Sequence, residues 1–361
     1  MKNLSDLALG STKSAVIEDD QGREGQRWIA GLLMAVACTL MVLMTYEWTL
    51  RAAGAEPNFR DTQARWSSIR EAVGRDQDED AIAILGASQI RAAVSISILE
   101  QRFPEQTIYP LAYVGRTPCP ALQDLAENTG FRGTVIISLT SNAGDCDPEV
   151  NHMFDVVAGY HNQWNWARKT DAWAADLMTH ALVATDPDHS LRSLIENALE
   201  PGRPLIKQRY EITRRNRQLE MDFSGFDDSD LARMREHTLW AFRYRADIDD
   251  SLRQDRWSKD VDAISAAIDT INARGGQVVI VRLPTSGSLA TAEQEFFPRA
   301  EYWDEIARRL PVTAALNHAD YPAVTAFKTP DGNHLDFRDS ADFTTALFDA
   351  IEGEGVSFSR P

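Results

Sequence analysis

The chain has 361 residues, 43% of them apolar and 25% charged, enough to bury a sizeable core in one main domain with an insertion or in two smaller ones. Its 37 Lys and Arg stand against 54 Asp and Glu, a formal charge of -17; this balance excludes a nucleic-acid partner, because phosphate affinity comes largely from basic side chains that displace counterions. The cysteines, at 38, 119 and 146, have no second ligand at finger-like spacing, so no metal and no other cofactor is expected.

Residues 28–46 form a run of 19 without a charge, about the length a helix needs to cross a hydrocarbon core. Trp28, Tyr46 and Trp48 stand at its ends, where aromatic rings favour the headgroup zone. A single transmembrane helix at 28–46 is therefore expected, between a cytosolic tail at 1–27 and a linker at 47–80. Ala53-Gly54-Ala55 offers the small residues of a rival reading, a cleaved signal peptide, but Glu47 and Arg51 interrupt the cleavage zone. Lys and Arg are too evenly spread over the two flanks to set an orientation. A short tail before one span and a large domain usually leaves the domain outside, so residues 47 onward are placed in a periplasm-like compartment on the inner membrane.

After the span, a helix over 64–73 and an acidic linker at 75–80 precede an apolar run at 81–86 that ends in glycine and suits a buried parallel strand. A helical pattern follows through Ile90, Val94, Ile98 and Leu99, closing at Phe103-Pro104. The unit repeats as a strand at 107–112, a helix at 120–128 and a strand at 133–140. Strands alternating with helices predict an α/β fold, a parallel sheet with helices on both faces. Residues 145–256 break the rhythm and read as a helical insertion, with helices at 164–182, 190–199 and 228–244 and no apolar strand. The pattern resumes with a helix at 260–273, a strand at 277–283, a helix at 300–310, a short segment at 312–316 and a last helix at 340–351.

Ligand sites of open parallel sheets lie at the strand ends, and three groups of residues fall there. Ser88 follows the first strand in Gly86-Ala87-Ser88, where its hydroxyl can attack and its N–H can hold an oxyanion. The blander reading is a helix N-cap. Asp331 and His334, in the run Pro330-Asp331-Gly332-Asn333-His334-Leu335-Asp336, are spaced so that the carboxylate can bind one ring nitrogen while the other faces a nucleophile. Gly115 and Asn142 follow the second and third strands and can supply further oxyanion donors; alone, each reads as a turn residue or loop cap.

The order Ser88, Gly115, Asn142, then Asp331 with His334 resembles the SGNH (GDSL-like) hydrolase superfamily, and in particular its membrane-anchored branch related to alginate O-acetylation proteins. The resemblance covers about residues 80–350, apart from much of the insertion, and implies a three-layer SGNH-like domain over 81–361. It further implies Ser88, His334 and Asp331 as catalytic residues, and Ser88, Gly115 and Asn142 as the oxyanion hole. The chain departs from the family pattern at Ala87, where Asp is common before the serine, and at Thr140 and Ala143, where the third block commonly has Gly and Asp.

Arg116, Arg282 and Ser286 also fall at strand ends and are candidates to line the cleft. Cys119 and Cys146 both follow strand ends, and outside the cytosol they can form a disulfide. The expected activity is acetyl-ester chemistry, hydrolysis or O-acyl transfer, on an extracytoplasmic polysaccharide. A polytopic membrane acyltransferase is the partner implied by the resemblance. Ala87 and the irregular third block leave open a non-catalytic accessory or scaffold subunit. A carbohydrate-binding role for Trp164, Trp166 and Trp173 is a further alternative, against helix core as the preferred reading for all three.

Overall fold

The computed structural model describes residues 4–75, 80–142, 145–200, 206, 209–246 and 249–358. Four residues of the expected acidic linker, 76–79, and Ala143 lie outside them. Two compact units divide the chain, Met1–Glu56 with Leu182–Lys207, and Pro57–Ala181 with Gln208–Pro361.

In the first unit a single helix runs over Leu4–Ala52 and stops before Gly54, whose φ of +91° is open to glycine at little cost. Its segment Gln26–Ala52, 27 residues, is long and apolar enough to cross a membrane, and side chains such as Leu32, Met41 and Val42 are exposed along it. The helix continues past both ends of the expected 28–46 segment, since nothing in the flanking sequence breaks it before Gly54. Two 3-10 turns, Val183–Thr185 and Pro187–His189, and the helix Leu191–Leu199 complete this unit, with Leu50, Ala55, Val183 and Leu194 forming its core.

The second unit is an α/β fold built on a parallel five-stranded sheet. Its strands are β1 (Ile82–Leu85), β2 (Ile108–Pro110), β3 (Thr134–Ser138), β6 (Gln277–Arg282) and β7 (Ala314–Asn317), in the order β2-β1-β3-β6-β7. Alternate side chains go to opposite faces of a strand, and the sheet has a core on each side. Ala83, Leu85, Val135, Ile137, Val278 and Ile280 pack on one face against the helices Gln63–Arg75, Cys119–Asn128 and Asp250–Ala273. Ile82, Ile84, Ile136, Val279 and Val281 pack on the other against Ile90, Leu99 and the Phe343, Leu347 and Ile351 side of the helix Ser340–Gly353.

Two differences from the sequence reading bear on the site. The helix after β1 breaks into Ser88–Ala93 and Ile96–Arg102, with Val94 and Ser95 extended between them and the Ser95 N–H donated to Thr344 Oγ1 at 2.7 Å. The insertion is not wholly helical. It contains an antiparallel hairpin, β4 (Glu211–Thr213) and β5 (Leu219–Met221), closed by a turn in which Arg217 is left-handed at φ +66°. The hairpin's short strands carry too few apolar residues to register as strands on their own; Leu219, Met221 and Phe223 gain their burial by packing on Ala92 of the Ser88–Ala93 helix.

Candidate active site

The strand order reverses direction between β1 and β3, the point where such sheets open a crevice beyond their C-terminal edges. The β1 chain leaves the sheet at Gly86, whose φ of +147° few side chains tolerate and whose missing Cβ would stand 2.7 Å from Ile90 Cγ2 and 3.0 Å from Ser138 Cβ. That tight passage delivers Ser88 to the first turn of its helix at the crevice. Gln89 fastens the same turn to the end of β6 by donating Nε2 to the Pro284 carbonyl at 2.9 Å.

His334 reaches Ser88 from 246 residues away, with Nε2 2.8 Å from Ser88 Oγ and Nδ1 2.7 Å from Asp331 Oδ2. Asp331 is buried, and Oδ1 accepts the backbone N–H of Asn333 at 2.9 Å and of His334 at 2.7 Å. Burial opposes its charge, but the hydrogen bonds from the His334 ring and from the two N–H groups outweigh that and hold the carboxyl below its ordinary range. Tyr210, just before β4, donates its hydroxyl to Oδ2 at 3.3 Å, and burial followed by the Asp331 charge keeps that phenol protonated far above its usual range. Asn333 Nδ2 stands 3.2 Å from His334 Nε2, a second polar contact on the nitrogen that meets the Ser88 hydroxyl.

Ser88, Gly115 and Asn142 all line one cleft of about 200 Å³, together with Arg116, Thr140, Glu293 and Asn333. Gly115 is left-handed at φ +67°. Thr140 donates its hydroxyl to Asn142 Oδ1, which turns the amide nitrogen of Asn142 the other way. The loop after β3 is tied down beneath them: Cys146 is disulfide-bonded to Cys119 with Cα atoms 5.4 Å apart, Asp260 Oδ1 accepts the Cys146 N–H at 2.9 Å, and Trp257 Nε1 donates to the Ser141 carbonyl at 3.1 Å. No cluster of His, Cys, Asp or Glu suited to a metal ion occurs among the described residues.

Of the three residues expected to line the cleft from strand ends, only Arg116 does so, with Nη1 donated to the Gly115 carbonyl at 3.1 Å. Arg282 is buried and paired with Glu293 at 2.6 Å, so it is Glu293 that reaches the cleft. Ser286 holds the loop that carries Asp331: its N–H donates to the Gly332 carbonyl at 3.0 Å and its hydroxyl lies 2.6 Å from Thr329 Oγ1. The expectation of helix core for the three tryptophans fails for two of them. Trp166 and Trp173 are 79% and 66% exposed because no residue of their helix, Trp166–Ala181, is buried, while Trp164 donates Nε1 to Glu71 at 2.9 Å.

Sequence reasoning missed Tyr210, Arg235 and Glu293. The insertion contributes the first two, with Arg235 Nη1 donating to the Pro330 carbonyl at 2.9 Å. The alternation of Ile212 with Thr213 and of Leu219 with Met221 around Asn216 is a weak hairpin signal that could have located Tyr210. No family model and no curated protein matches this chain. Among solved structures it is similar to the crystal structure of TesA, at 9% identity over 76% of this chain and 99% of that one, with a TM-score of 0.33.

Proposed function

We propose that this protein is a membrane-anchored serine esterase or O-acyltransferase in which Ser88 is the nucleophile, His334 its base and Asp331 the group that orients the base. The observation that carries the reading is the pair of contacts at opposite nitrogens of His334, 2.8 Å to Ser88 Oγ and 2.7 Å to Asp331 Oδ2. With Nδ1–H bonded to the carboxylate, Nε2 bears the lone pair that takes the Ser88 proton as Oγ bonds to the acyl carbon. The negative charge that develops on the carbonyl oxygen is met by the N–H groups of Ser88 and Gly115 and by the Asn142 amide. Collapse breaks the bond to the leaving alcohol, which takes the proton from His334 and departs, leaving an acyl-serine. Water or an acceptor hydroxyl then gives its proton to His334 and attacks; the bond to Ser88 Oγ breaks, Oγ takes that proton back from His334, and the acid or the transferred ester is released.

An acetyl ester of an extracytoplasmic polysaccharide is the substrate in this reading. In a lining that also presents the apolar Phe242, Leu289 and Phe297, the side chains of Arg116, Thr140, Asn142 and Glu293 offer hydrogen-bonding partners to the hydroxyls of a sugar ester. The exposed apolar helix Gln26–Ala52 supports an inner-membrane anchor, and the Cys119–Cys146 disulfide supports an oxidising compartment for the unit that carries the site. If the reaction is a transfer, a polytopic membrane acyltransferase would supply the acyl group.

The test is turnover of p-nitrophenyl acetate by the full chain in detergent, compared with Ser88→Ala and His334→Ala. The full chain is needed because truncation after residue 56 would strip Leu50 and Ala55 from Val183 and Leu194. Turnover that both substitutions abolish, with a fluorophosphonate labelling Ser88 in the parent alone, is the expected result. An inactive parent whose Ser88 resists the fluorophosphonate would overturn the reading.

A further inference from the structure

The helix Leu191–Leu199 has an apolar arc that its own unit covers only in part. At about 100° per residue, Leu194, Ala198, Leu191, Ile195 and Leu199 follow one another around the helix, Arg192 borders the arc beside Leu199, and Ser193, Glu196 and Asn197 take the opposite side. Leu194, at one edge of the arc, is buried against Leu50 and Val183. The rest of the arc is open, with Leu191 67%, Ile195 50% and Leu199 78% exposed.

The attachment of this helix holds it near the end of the apolar helix. Glu47 accepts the N–H groups of Val183 and Ala184, both at 3.0 Å, and Tyr46 donates its hydroxyl to the His189 carbonyl. The segment is thus clamped to the last turns of the apolar helix, beside the exposed Trp48. Leu50 lies four residues past Tyr46, about 6 Å along the axis at 1.5 Å per residue. The headgroup layer on one side of a bilayer is of that same thickness, roughly 5–7 Å.

We propose that the Leu191–Leu199 helix lies in the headgroup layer of the membrane, with Leu191, Ile195 and Leu199 pressed into the acyl boundary, Arg192 at its edge, and Glu196 and Asn197 toward water. Amphipathic helices with such a division bind bilayer surfaces in this manner. The proposal rests on the reading of Gln26–Ala52 as a membrane span. Its consequence is a second lipid contact, far along the chain from the anchor, that fixes the rotation and tilt of the span's outer end.

The test uses the full chain carrying Cys38→Ser, reconstituted in vesicles of phosphatidylcholine and phosphatidylglycerol. A polarity-sensitive fluorophore is placed in turn on Ile195→Cys, Glu196→Cys and Met41→Cys, with the Cys119–Cys146 bond left oxidised. A doxyl group near the lipid headgroup should quench the Ile195 label at least about fivefold more than the Glu196 label, while aqueous iodide shows the reverse order. The Met41 label, which reports on the span, should answer to a doxyl group deep in the acyl chains. If Met41 is reached by lipid and Ile195 is as open to iodide as Glu196, the helix faces water and the proposal fails while the anchor stands. An Ile195 label shielded from both quenchers would mean that protein covers the face, which also overturns the proposal. A Met41 label that lipid does not reach overturns the anchor and the proposal together.

Discussion

Replacing Asp331 with Asn should lower ester turnover about 10⁴-fold, equivalent to about 5 kcal/mol of transition-state stabilisation. Asp331 Oδ1 accepts two backbone N–H groups, from Asn333 at 2.9 Å and His334 at 2.7 Å, so an asparagine must keep its oxygen there; an NH₂ group would face two donors. The amide nitrogen then takes the place of Oδ2, 2.7 Å from His334 Nδ1, and donates to it. Nδ1 becomes an acceptor and the ring proton moves to Nε2, which now donates to Ser88 Oγ and can no longer take its proton. The fold should be spared, because Tyr210 can accept from the new amide in place of donating to the carboxylate. The assay is kcat for p-nitrophenyl acetate in the full chain, with circular dichroism and thermal midpoint as controls. Asp331→Asn turnover within about tenfold of the parent, in a protein whose Ser88→Ala form is inactive, would refute the argument that Asp331 sets the tautomer of His334.

Three further outcomes follow from the same geometry. Tyr210→Phe removes one long hydrogen bond to Asp331 Oδ2, about 1 kcal/mol, and should lower kcat roughly fivefold with KM unchanged; a hundredfold loss, or none, would contradict the 3.3 Å contact as a modest brace. Gly86→Ala should lose about 1–3 kcal/mol of stability and most of the ester turnover, read by thermal midpoint and kcat, because its Cβ meets Ile90 and Ser138 at a φ of +147° and displaces Ser88. Burial lifts the Asp260 carboxyl from 3.8 to about 6, so the folded state holds its proton more tightly than the unfolded chain and stability falls as pH rises through that window. Asp260→Asn, which keeps an acceptor for the Cys146 N–H, should raise the thermal midpoint relative to the parent at pH 8 and lose that advantage near pH 4, where His318, lowered to about 4 chiefly by burial, titrates in both proteins.

Local sequence determined the elements of the sheet and the residues at their ends. The two-residue alternation of Ile82 and Ile84 with Ala83 and Leu85, closed by Gly86, defines a strand buried on both faces and a turn that exposes the next side chains. The spacing of Asp331 and His334 is likewise a local property, since the carboxylate binds the N–H and ring of a residue three positions on within one turn. The 19-residue uncharged run at 28–46 is legible for the simplest reason, that hydrophobicity over a fixed length needs no partner to be recognised.

Only the tertiary structure decided what those residues meet. Ser88 and His334 are 246 positions apart, and nothing in either neighbourhood encodes the 2.8 Å contact that β1, at the crevice, and the loop after β7 create together. Arg282 and Ser286 looked like cleft residues because strand ends face ligands; charge pairing with Glu293 and the grip on Thr329 and Gly332 turned both to internal work. Trp166 and Trp173 looked like core because large aromatics are most often buried, yet their helix offers no covered face. Tyr210 and its hairpin stayed hidden for the converse reason: strands of three residues owe their existence to packing against Ala92, and the partner surface of so short a segment is not written in the segment itself.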